Sequence, residues 1–125
     1  MDSTTMVNDL VDAGGKLLTA LEESGVEVRS AFWLFESEKG GWRLVLSMPL
    51  VDREGSRAAY DAIRRVLPPG LYLRHIAPVS PKDETVRLIS NAVRVEGKGR
   101  GAPIRFTNNT INNVLIEDAV IYRST

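Results

Sequence analysis

Residues 30–50, SAFWLFESEKGGWRLVLSMPL, restrict what this chain can fold into more than any other stretch. Two apolar runs flank a polar loop with two adjacent glycines, the pattern of an antiparallel hairpin. The stretch holds both tryptophans and two of the three phenylalanines, so a core has to be organised on it. Side chains alternate across a strand. Taking the charges at Glu27, Arg29 and Arg43 as marks of the solvent side puts Val28, Phe32, Leu34, Leu44, Leu46 and Met48 on an inner face. Trp33, Phe35 and Val45 are then left on an outer face among charged neighbours. Register decides this assignment, because a one-residue slip exchanges the faces.

The rest of the chain supplies elements to cover that hairpin. Residues 6–24 predict an amphipathic helix, with Val7, Leu10, Val11, Leu17, Leu18 and Leu21 at helical spacing and Gly25 as its stop. Gly14 and Gly15 fall inside it, each at a cost of roughly 1 kcal/mol against alanine, which signals a kink or a neighbour packed against the backbone. Residues 53–67 predict a second helix capped by Asp52 and buried through Ala59, Tyr60, Ile63, Val66 and Leu67. Residues 71–79 alternate as a third strand, with Pro78 marking an edge. Ser80 then caps a third helix that starts at Pro81 and ends near Ser90 or Asn91. A strand over 92–96, a glycine-rich turn over 97–103, a short strand over 104–107, an asparagine-rich turn over 108–113 and a final strand over 114–123, bent at Glu117 and Asp118, complete the reading. With 125 residues, 43% apolar, one domain with its own core is expected. The order of elements predicts an α+β fold: an antiparallel or mixed sheet of about five to six strands, with two or three helices packed mainly on one face.

Composition removes several function classes. Without cysteine there is no disulfide, thiolate nucleophile or Cys-ligated zinc. Sixteen basic and sixteen acidic residues balance, so net charge points neither to nucleic acid nor to a membrane surface. No apolar run approaches the ~20 residues of a spanning helix. The acidic start MDSTTMVNDL lacks the order of a signal peptide, and a cytoplasmic setting is expected. The GGK at 14–16 is not a phosphate loop, since Leu10 and Leu17 stand where that motif needs glycine and Ser or Thr. His75, the sole histidine, shares a strand face with Leu71, Leu73 and Ala77 and reads as a core residue; no partner at ligand spacing supports a metal site. Glu117 and Asp118 are adjacent on a strand and face opposite ways, which argues against a carboxylate pair. No cofactor is indicated.

Two readings of function remain. An aromatic cluster on a charged face marks association, which makes Trp33, Phe35 and Val45 an interface in a homo-oligomer, or with another protein, of a non-catalytic accessory or regulatory module. The competing explanation of these residues is a second core layer built by the C-terminal strands. The alternative function uses Arg94, Lys98, Arg100 and Arg105 around the glycine turn to bind phosphate or nucleic acid. GKGRG is not a dinucleotide fingerprint, since Ala102 breaks it, and no aromatic residue interleaves to stack bases.

Overall fold

The computed structural model describes residues 3–92 and 103–124. Its helices are α1 (Ser3–Glu23), α2 (Pro49–Glu54), α3 (Ser56–Arg65) and α4 (Glu84–Ala92). Its strands are β1 (Ser30–Glu36), β2 (Gly41–Ser47), β3 (Ile76–Val79), β4 (Ile104–Ile111) and β5 (Val114–Arg123). They form one mixed sheet in the order β3-β2-β1-β5-β4. β2 and β3 run parallel, joined through α2 and α3, and the other neighbours are antiparallel. This is the α+β class predicted from the pattern of elements, with α1, α2 and α3 against one face and α4 against the other.

Helix α1 is continuous through both glycines and stops where expected. Gly25 takes φ +79°, and the Gly25 and Val26 amides donate to the carbonyls of Glu22 and Leu21. That pair of bonds is a Schellman motif, which satisfies carbonyls the helix leaves open. The apolar stripe of α1 is buried through Val7, Ala13, Leu17, Leu18 and Leu21.

The hairpin forms, but its faces differ from the charge-based assignment. The register sets Trp33 opposite Leu44 and Phe32 opposite Val45, and directly opposed residues share a face. Trp33 therefore joins Ala31, Leu44, Leu46 and Met48 in the core beneath α1 and α3. Phe32, Leu34 and Val45 build a second core with Val86 and Ile89 of α4 and Ile116, Ala119 and Ile121 of β5. Charge misleads here because Glu27 and Arg29 precede the strand and Arg43 lies near one end of β2. With helices on both faces, the centre of the sheet is buried from both sides.

Other boundaries shift for local reasons. The single helix expected over 53–67 is two: Pro49 opens α2, Asp52 lies inside it, and Gly55 at φ +92°, ψ 168° separates it from α3. The strand expected over 71–79 is reduced to β3, because Leu73–His75 form a 3-10 turn. Helix α4 is capped by Asp83, whose carboxylate accepts from the Thr85 and Val86 amides at 3.0 and 3.2 Å. Ser80 instead accepts from the Lys82 amide in the turn before it. The asparagine-rich turn shrinks to Asn112 and Asn113, both at positive φ, while β4 extends to Ile111. Asn108, also at positive φ, interrupts β4, and across from it β5 changes face, since Ile116 shares a core with Ala119 and Ile121. The strand expected over 92–96 and most of the glycine turn lie outside the described residues.

Candidate functional site

The two edges of the sheet are built differently. β3 is four residues long and carries Pro78, whose nitrogen has no hydrogen to donate, so this edge resists further pairing. β4 is eight residues long, contains neither proline nor lysine, and has no strand on its outer side among the described residues. Ile104 at its start is 40% exposed, and beyond the Asn112–Asn113 turn Val114 and Leu115 are 48% and 58% exposed. These are large apolar side chains on the most open part of the fold. Beside Val114 and Leu115 lies a cleft of about 320 Å³ between the hairpin tip, the end of β1 and α4, lined in part by Leu34, Phe35, Thr85, Leu88, Val114 and Leu115.

Polar contacts hold this hairpin in place. Glu117 accepts from the Ser37 amide and hydroxyl, both at 2.7 Å, which tethers β5 to the end of β1. Those bonds hold its carboxyl below the usual range. On the neighbouring residue, Asp118 takes a forked pair of bonds from Arg105, at 3.1 and 2.7 Å. Glu117 and Asp118 thus serve separate partners, Ser37 and Arg105.

Of the residues singled out in the sequence, Trp33 is 1% exposed and Val45 4% exposed, in opposite cores. Neither presents a surface, and the sheet separates them. Phe35 is half-buried, its ring centroid 5.3 Å from that of Trp42. Arg105 is committed to Asp118, while Arg94, Lys98 and Arg100 lie outside the described residues. The open edge escaped sequence reading because asparagine reads as turn. The available signal was the contrast between Pro78 and the proline-free run 104–111.

A second feature was also missed. Glu36, Lys39, Gly40, Gly41, Trp42, Arg43, Arg74 and His75 line a polar cleft of about 270 Å³. Glu36 accepts from Arg43 at 2.7 Å and pairs with Lys39 at 3.4 Å. The Arg74 guanidinium lies 4.6 Å from the centre of the Tyr72 ring, and His75 meets the same ring edge-on. Burial first, then the charge of Arg74, lowers the pKa of His75 below its ordinary value. Among the described residues, no group of three or more His, Cys, Asp or Glu is placed to hold a metal ion.

No family model, curated protein or solved structure matches this chain.

Proposed function

We propose that this protein is a non-catalytic association module that works as a homodimer, two copies pairing along the outer edges of their β4 strands. The observation that carries this reading is the β4 edge, which has no strand on its outer side among the described residues. A long strand without proline or lysine offers a row of amide and carbonyl groups to another strand. Antiparallel pairing of β4 with its own copy is self-complementary and closes around a two-fold axis, so it stops at two copies. Asn108 divides the edge, and pairing on either side of it is consistent with its positive φ. Ile104, Val114 and Leu115 would add apolar area to a contact whose specificity comes from the main chain. The partner is thus a second copy of this chain, in a cytoplasmic setting.

This reading sets the interface at the sheet edge and not at the aromatic cluster expected from the sequence, since Trp33 and Val45 are buried. Light scattering coupled to size exclusion should give a particle of twice the 13.8 kDa chain mass. Ile104→Lys combined with Leu115→Lys should give a monomer with an unchanged far-UV spectrum, since both side chains are exposed. A wild-type monomer throughout the millimolar range would overturn the reading.

A further inference from the structure

We propose that the cleft between the end of β1, the start of β2 and the 3-10 turn Leu73–His75 binds a compact oxyanion, the phosphate or carboxylate group of a small molecule, through Arg43, Arg74, His75 and Lys39. Two observations point to it independently of the dimer. The first is unsatisfied polarity. Arg43 Nε and His75 Nδ1 are buried nitrogens without a hydrogen-bond partner among the described residues, and both residues line this one cleft. Buried polar atoms are nearly always paired, so two orphans on one cleft ask for an acceptor from outside the chain. Arginine Nε always carries a hydrogen, which limits that acceptor to an atom such as an oxyanion oxygen.

The second observation is charge. Lys39, Arg43 and Arg74 stand against a single carboxylate, that of Glu36. Glu36 accepts from Arg43 Nη2, the terminal nitrogen on the Nε side of the guanidinium, so the donor left for a second acceptor on that side is Nε–H. Gly40 and Gly41 take φ +90° and +122°, and a Cβ on either would meet nothing within 4 Å, so the rim at the loop is open. The indole of Trp42 supplies an apolar wall. The two orphan nitrogens are shielded in this conformation. The side chain of Arg43 is 39% exposed, and binding requires it to turn Nε towards the incoming oxygen. His75 donates to the same group from Nδ1, in the form that carries its hydrogen there. A volume of about 270 Å³ sits at the low end of small-molecule sites, which suits a phosphorylated or polycarboxylate metabolite and not a dinucleotide.

Because His75 is the only histidine, its imidazole resonances report on the cleft without ambiguity. The protein is titrated with inorganic phosphate and, separately, with citrate, each at ionic strength held constant with chloride. Saturable shifts of the His75 ring and of the Arg43 Nε–H signal are expected with at least one of them, and which one identifies the class of oxyanion. Arg43→Lys keeps the charge but loses the Nε–H donor, and should weaken binding by about tenfold or more. The proposal is overturned by shifts that chloride alone reproduces, by undiminished affinity in Arg43→Lys, or by binding confined to an oligonucleotide with a steep salt dependence. That last result would assign the cations to nucleic acid.

Discussion

Gly14 shows how one residue records a tertiary contact. Inside α1 it costs about 1 kcal/mol against alanine. A Cβ there would sit 2.5 Å from the Tyr122 hydroxyl and 2.7 Å from Trp33 Nε1. These two groups are bonded to each other, the indole donating to the hydroxyl at 3.0 Å, and the hydroxyl donates in turn to the Val11 carbonyl of the helix. Gly14→Ala should therefore lower the unfolding free energy by about 1–3 kcal/mol in urea titrations, overpacking outweighing helix propensity. At Gly15 the nearest contact of a Cβ is 3.8 Å away, and Gly15→Ala should raise stability by up to ~1 kcal/mol. Burial, with Asp12 adding to it, pushes the Tyr122 phenol well above its ordinary value. The unfolded chain releases this proton near pH ~10 while the folded one keeps it, so stability is complete below that pH and falls as pH rises. Tyr122→Phe should lose about 1–3 kcal/mol at neutral pH, because the Trp33 indole N–H is left buried without an acceptor. It should also decline less on the alkaline side. An identical alkaline loss in both proteins would refute the assignment.

Among the elements, the α2–α3 break was the hardest to read. Apolar residues keep a helical period across Gly55, so periodicity alone predicts one helix. The backbone at φ +92°, ψ 168° is open essentially only to glycine. Gly55→Ala should cost about 1–3 kcal/mol, measured as a lower urea midpoint with an unchanged slope. A neutral result would mean that the chain relaxes into a continuous helix. The C-terminal strand, by contrast, is observed over the residues expected of it, and Gly25 ends α1 where a left-handed stop was predicted. Such stops and turn residues act locally, which is why they are legible in a sequence. The 3-10 turn at Leu73–His75 is not, since it replaces a run of good strand alternation.

At the scale of the molecule, β1 serves two cores at once. Ala31 and Trp33 point to one and Phe32 and Leu34 to the other, so neither core can open without disturbing the strand they share. Far-UV circular dichroism and tryptophan fluorescence should accordingly report one coincident unfolding transition. Ile89→Ala, in the core opposite Trp33, should shift both probes together by about 2–5 kcal/mol. Two resolved transitions would show that the cores fold separately. The edges also acquire meaning only here: β4 is an edge because of strand order, and strand order is not written in any one segment.

The sequence by itself determined the hairpin, the α+β class, the buried stripe of α1 and the turn residues, because these follow from periodicity and from the conformational limits of glycine, proline and asparagine. Tertiary structure alone decided which face each hairpin residue occupies. Alternation sorts side chains into two sets, but it does not say that helices will cover both. It also decided that Trp33 is a core residue, its indole bonded to Tyr122 eighty-nine residues away. The polar cleft was equally out of reach, since Arg43 and His75 meet only when β2 and the turn before β3 are brought side by side. Their shared want of partners is a property of that meeting and of no local stretch of chain.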